Sequence, residues 1–222
     1  MATCDLFYKI VRMTDSNTDQ GHVHVCVDCN TDIPDRTRAI LANGADPVPE
    51  MVKSGIRLQA MGADVLIIPC NTAHYFYDRL LPFFDVPVLH MLRETAEKIR
   101  ARGVRKAGLL ATDGTIQSGV YEHALSEKGI AVIIPSEKRQ AAVMSVIYDG
   151  VKASNRNVDL TGFMEAIREL LEGGAELIVL GCTELPIAFE WYGIDVPHID
   201  PTSVLAKAAI EFAGIPVHDG CV

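Results

Sequence analysis

One stretch of this chain occurs twice. Gly62-Ala63-Asp64-Val65-Leu66-Ile67-Ile68-Pro69-Cys70-Asn71-Thr72 matches Gly174-Ala175-Glu176-Leu177-Ile178-Val179-Leu180-Gly181-Cys182-Thr183-Glu184 in character at nearly every step. Each copy runs from Gly-Ala-acid through a short apolar run and a small turn residue to a cysteine, with the same spacing from Gly to Cys. The likeness continues downstream, where Asp85-Val86-Pro87-Val88-Leu89 answers Asp195-Val196-Pro197-His198-Ile199. Short runs of Ile, Val and Leu set between helical patterns are the signature of parallel strands buried on both faces. The glycines that open each copy suit the C-terminal ends of the preceding helices.

Further segments fit the same scheme. His22 to Val27 is a β-branched run, and Lys106 to Thr112 and Ala131 to Ile134 are short apolar strands. Helical patterns cover 5–13, 48–61, 94–102, 118–128, 137–151, 161–171 and 203–212. Alternating strands and helices imply parallel sheets joined by right-handed crossovers. The expected fold class is α/β: two similar Rossmann-like α/β/α domains, with an active site in the cleft between them. The N-terminal domain is expected over 1–102 and the C-terminal domain over 103–202, with the terminal segment 203–222 packing back on the first. Each repeated cysteine then sits just past the carboxyl end of its strand, where open α/β sheets bind ligands.

Net charge excludes some functions. With 20 Lys and Arg against 29 Asp and Glu, the chain is acidic at −9 and lacks the basic face of a nucleic-acid binder. Nothing approaches the ~18 consecutive apolar residues of a membrane span, and the N-terminus has no signal-peptide layout. A cytoplasmic protein is expected, in which the six cysteines are thiols by default.

A thiolate is a usable base near neutral pH, because an ordinary thiol titrates at about 8.5. Two thiols on opposite sides of one ligand can remove a proton from one face of a carbon and deliver one to the other. Cys70 and Cys182 are the candidate pair; the duplicated context argues against two ordinary buried cysteines. Asn71, Thr72, Thr112 and Thr183 offer donors beside the thiols, either for a substrate carboxylate or as plain helix caps. Arg36 and Lys152 are cations in polar surroundings, and each taken alone reads more simply as a solvated surface charge. His74, one helical turn from Cys70, and Glu184, two residues past Cys182, are candidates to tune the thiols. Cys26 and Cys29 form a C-x-x-C, but no second pair completes a four-ligand metal set, and no metal is expected. Phosphate-cradling glycine motifs and H-E-x-x-H are absent.

Pro69-Cys70-Asn71-Thr72-Ala73-His74 and Gly181-Cys182-Thr183-Glu184-Leu185 resemble the two signature motifs of the aspartate/glutamate racemase family. Ile33-Pro34-Asp35-Arg36-Thr37, Gly108 to Thr115, and Tyr148-Asp149-Gly150-Val151-Lys152 resemble aspartate racemases in particular. The resemblance implies a racemase free of pyridoxal phosphate or any other cofactor, a small anionic amino acid as substrate, and a homodimer. It implies that Cys70 and Cys182 are the acid and base, and that Arg36 and Lys152 hold the two carboxylates of aspartate. Asn71, Thr72, Thr112 and Thr183 would line the substrate. Glutamate, one methylene longer, stays open as the alternative, as do another isomerase of the superfamily and a relative that only binds an amino acid. In one respect the chain departs from the pattern. Such proteins open on a short strand and a Gly-rich loop, whereas here a helical pattern starts at Asp5, so the first sheet is expected to lack a member.

Overall fold

The structure is a computed structural model that describes residues 1–218. Cys221, one of the two terminal cysteines, and the end of the segment expected to pack on the first half lie outside the described residues. The chain runs through α1 (Ala2–Met13), α2 (Arg36–Leu41), α3 (Val48–Ala60), α4 (Tyr77–Leu80) and α5 (Met91–Ala101) before its first ladder strand, β1 (Lys106–Ala111). There follow α6 (Asp113–Gln117), α7 (Val120–Ser126), β2 (Ala131–Ile133), α8 (Glu137–Ser145), α9 (Thr161–Glu172), β3 (Leu177–Gly181), α10 (Leu185–Tyr192), β4 (His198–Ile199) and α11 (Pro201–Phe212).

This is the mixed α/β architecture the alternating pattern implies. β1 to β4 form one parallel sheet in the order β2-β1-β3-β4. Every residue of β3 is buried, as a strand covered on both faces requires. On one face Leu110, Ile178 and Leu180 pack with Val143, Ile147, Phe163 and Ile167 of the flanking helices. On the other, Leu109 and Val179 join a core that reaches Leu92 and Ile99 of α5, Leu6 and Ile10 of α1, and Leu205 and Ile210 of α11.

The sequence repeat is a structural repeat. Gly62 and Gly174 both take φ = +90°, a left-handed conformation that glycine adopts without strain. Each is followed by an alanine whose N–H donates back into the preceding helix, Ala63 to the Leu58 carbonyl and Ala175 to that of Leu170. Four residues after each glycine, Leu66 N–H donates to the Pro87 carbonyl at 2.9 Å and Ile178 N–H to that of Pro197 at 2.8 Å.

The halves then diverge, and three sequence expectations change. His22 to Val27 does not join a ladder: it runs extended, with Val23 and Val25 against the core. The apolar run after Gly62 likewise makes only an isolated bridge, Leu66 to Val88. Among the described residues, no backbone group of 23–30 enters a backbone hydrogen bond. The reason is visible between the two segments. Cavities of about 460 and 210 Å³ are lined by both 23–30 and 62–70, so the two segments do not pair with each other. The third change is in the helix expected over 137–151, whose last turn, Val146–Lys152, is π-helical. Among the described residues, no helix is long and apolar enough to cross a membrane.

Candidate active site

Cys70 and Cys182 line one cavity of about 160 Å³. Arg36, Asn71, Thr72, Thr112, Lys152, Thr183 and Glu184 line it too, so the residues singled out from separate sequence motifs converge on one place. His74 lies outside it. Each cysteine occupies the first turn after an extended segment, and its carbonyl accepts from the residue three ahead, Ala73 at 3.2 Å and Leu185 at 2.9 Å.

The two thiols sit in different electrostatic surroundings. Cys182 is 7% exposed, and its Sγ–H donates to Glu184 Oε2 at 2.9 Å. Burial pushes this thiol well above the ordinary range, and the Glu184 carboxylate pushes the same way. Thr183 Oγ1 donates to the same carboxylate oxygen at 3.3 Å. Cys70 is only half-buried, and its sulfur lies beside Arg36, where it holds the guanidinium further toward the charged form against partial burial. Two backbone carbonyls, Ile33 at 3.3 Å and Pro34 at 3.0 Å, also accept from Arg36 Nη1.

Local structure explains how Arg36 arrives there. Asp35 caps α2 by accepting from Arg38 N–H at 2.8 Å, so Arg36 is the first helical residue and faces the cleft. α2 in turn packs tightly on α6: a Cβ at Gly114 would stand 2.9 Å from Thr37 Cα, so only glycine permits the approach. Lys152 comes from the π-helical turn, its Nζ 3.8 Å above the Tyr148 ring centroid. Burial pulls the Lys152 ammonium down, but Glu184 and Cys182 outweigh it and leave the group firmly charged.

The floor of the cleft is a cluster of hydroxyls. Thr72 Oγ1 lies 2.7 Å from Thr115 Oγ1 and 3.1 Å from Thr112 Oγ1. Thr112 also caps α6, so capping and lining coexist in one residue. Asn71 is 2% exposed; its Oδ1 accepts from the Tyr121 hydroxyl at 2.6 Å, while its Nδ2 has no partner among the described residues.

His74 acts on backbone. Its Nε2 accepts from Met91 N–H at 3.1 Å, so the proton is on Nδ1, which donates to the Cys70 carbonyl at 2.9 Å. Burial lowers its pKa to about 4, so it is neutral at pH 7. It ties the Cys70 turn to the start of α5 and does not reach the thiol. Glu184, by contrast, touches its cysteine directly. Sequence reasoning missed Thr37, Thr115, Tyr121 and Tyr148. Thr37, Thr115 and Tyr148 stood inside motifs already noted. Tyr121 stood in none, and nothing local marked it.

Comparison with known proteins shows the family and the fold. A family model described as Asp/Glu/Hydantoin racemase matches residues 1–209. The chain is 29% identical over 161 residues to the broad specificity amino-acid racemase RacX of Bacillus subtilis (strain 168), covering 72% of this chain and 70% of that one. It is 28% identical over 147 residues to a glutamate racemase of Persephonella marina, covering 64% of this chain and 54% of that one. Among solved structures it superposes on Picrophilus torridus aspartate racemase with a TM-score of 0.88 at 29% identity, over 99% of this chain and 92% of the other.

Proposed function

This chain belongs to the Asp/Glu/hydantoin racemase family, and from that premise we propose that it interconverts L- and D-aspartate by two-base proton transfer between Cys70 and Cys182, without pyridoxal phosphate. The observation that carries the proposal is the cavity of about 160 Å³ in which one cysteine from each copy of the repeat meets two cations. Likeness to the Picrophilus torridus aspartate racemase supports the choice of substrate.

Aspartate brings two carboxylates. Arg36 takes one, with the bidentate geometry open to a guanidinium, and Lys152 takes the other. The donors of Asn71, Thr72 and Thr183, with the Thr112 hydroxyl, hold the charge that develops on a carboxylate oxygen as Cα loses its proton. For the enantiomer whose Cα–H faces Cys70, the Cys70 thiolate beside Arg36 removes the proton. Cys182 enters the step as the neutral thiol that its burial and Glu184 favour, and gives its proton to the opposite face. One C–H bond breaks and one forms, with inversion at Cα, and the two sulfurs exchange protonation states. The reverse enantiomer runs the same steps backwards.

The division into halves near Gly103 and a homodimer belong to the same proposal. Phe7, Tyr8 and Val11 form an exposed apolar face on α1, which supports docking of a second copy. Glutamate is a second candidate, favoured by the match to a glutamate racemase. One methylene is worth only about 1–3 kcal/mol in a pocket.

Incubation of the purified chain with L-aspartate in D2O, without added cofactor, tests the proposal. The expected product is D-aspartate carrying deuterium at Cα. Deuterated D-glutamate from L-glutamate, with aspartate inert, would move the substrate assignment. Exchange with neither, in a folded protein that binds aspartate, would leave a binding protein in place of a racemase.

A further inference from the structure

Asn71 has one carboxamide with two ends, and only one of them is spoken for. Its oxygen accepts from the Tyr121 hydroxyl at 2.6 Å, its nitrogen has no partner among the described residues, and the residue lines the cleft at 2% exposure. An unpaired N–H donor this deeply buried is costly unless something binds it. Tyr121 is itself fully buried, on α7, and does not line the cleft. We propose that Tyr121 is a positioning residue: its hydroxyl fixes the Asn71 carboxamide oxygen-inward, so that the NH2 group is the donor offered to a substrate carboxylate.

The physical argument concerns a rotation. A carboxamide has two nearly isosteric orientations, differing only in whether oxygen or nitrogen faces the ligand. Facing an anionic amino acid, one orientation donates a hydrogen bond and the other repels. A free asparagine would sample both. Here the Tyr121 hydroxyl donates to Oδ1 at 2.6 Å, and that bond holds the orientation with Oδ1 toward the ring. Tyr121 thereby discriminates for anionic ligands from beyond the cleft wall, without touching them. The inference rests on the proposed assignment of Asn71 to a substrate carboxylate.

The test is a double-mutant cycle on L-aspartate binding, read by calorimetry, with Tyr121→Phe, Asn71→Ala and the pair. Phe keeps the ring and removes only the donor. The expectation is that Tyr121→Phe weakens binding about tenfold, and that it costs nothing further once Asn71→Ala is present. Multiplying losses, or a Tyr121→Phe variant that binds like wild type, would overturn the positioning role, because a general packing role would act with or without Asn71. A second readout needs no ligand. The Asn71 side-chain amide pair, identified by its loss in Asn71→Ala, is expected to be sharp in the 15N spectrum of the wild type and to broaden or shift markedly in Tyr121→Phe. An unchanged pair overturns the inference. A wild type that binds neither aspartate nor glutamate, with the amide response intact, would instead remove the substrate assignment and leave the locked carboxamide standing.

Discussion

Leu66 and Ile178 hold the same place in the two copies of the repeat, and each donates to a proline carbonyl further along the chain. Around Ile178 that bond is one rung among many, since β3 pairs with β1 on one side and β4 on the other. Around Leu66 it has one companion, Leu89 N–H to the Leu66 carbonyl at 3.0 Å, and the pairing goes no further. The glycine turn, the bond back into the helix and the cysteine turn form equally well in both copies, because each depends on residues close by in the chain. The ladder forms only where a neighbour lies within about 5 Å on the open side. Local motifs therefore place both thiols at the cleft, while the rigidity behind each thiol differs.

The largest effect expected from breaking this pairing is catalytic. Cys70→Ser and Cys182→Ser are each expected to lower racemisation by about 10²–10⁴-fold, the usual worth of a positioned acid or base. In D2O each variant should still exchange Cα–H on one enantiomer, and the two variants on opposite ones. Retention of the same enantiomer by both would show that the cysteines do not face each other across Cα.

The second effect is dynamic. Amides of 23–30 are expected to exchange with deuterium at least about a hundredfold faster than those of β1 and β3, because they lack partners in the chain. Equal protection, measured residue by residue, would mean that the first half closes its gap in solution.

Core truncation should rank the halves in the same order. Leu110, fully buried in β1, is expected to cost about 2–5 kcal/mol on change to Ala. Leu66 already borders both large cavities, has fewer contacts to lose, and is expected to cost about 1–2 kcal/mol in the same urea unfolding series.

A further effect is in the pH response, and it too divides the molecule. His74 has its pKa lowered from 6.5 to about 4 by burial. The unfolded chain takes up that proton first, so the stabilisation is present above about pH 6.5 and is lost as pH falls toward 4. Integrated, this is at most about 3 kcal/mol. Cys182 works in the opposite direction: its thiol is raised, so the stabilisation is present below the ordinary thiol range and is lost at alkaline pH. Urea midpoints from pH 4 to 7 should fall with acid in the wild type and fall less steeply in His74→Gln, where His90, lowered to about 3 by burial, keeps the remaining slope.

Much of this was legible in the chain. The repeat placed both cysteines at turns after extended runs, and the motifs around Arg36, Thr112 and Lys152 lead to the same cavity. What was not legible depends on partners distant in sequence. The β-branched run at His22 to Val27 says that the chain is extended, not whether anything lies beside it. Tyr121 has the spacing of a core residue, and only the fold reveals that its hydroxyl meets Asn71. The widened π turn that ends at Lys152 departs from the 3.6-residue period by which the sequence is read.

That turn has an evolutionary consequence. A π-helical segment such as Val146–Lys152 holds about one residue more than an α-helix of the same rise. Loss of a single codon within it, at Gly150 for instance, would let the segment rewind as α-helix; five steps of about 100° then replace six of about 80°, and Lys152 keeps nearly the same direction. A substitution at this position only exchanges one side chain for another. A one-residue deletion would be absorbed by the winding of the helix, so a change of length in this segment can leave the cation in the cleft.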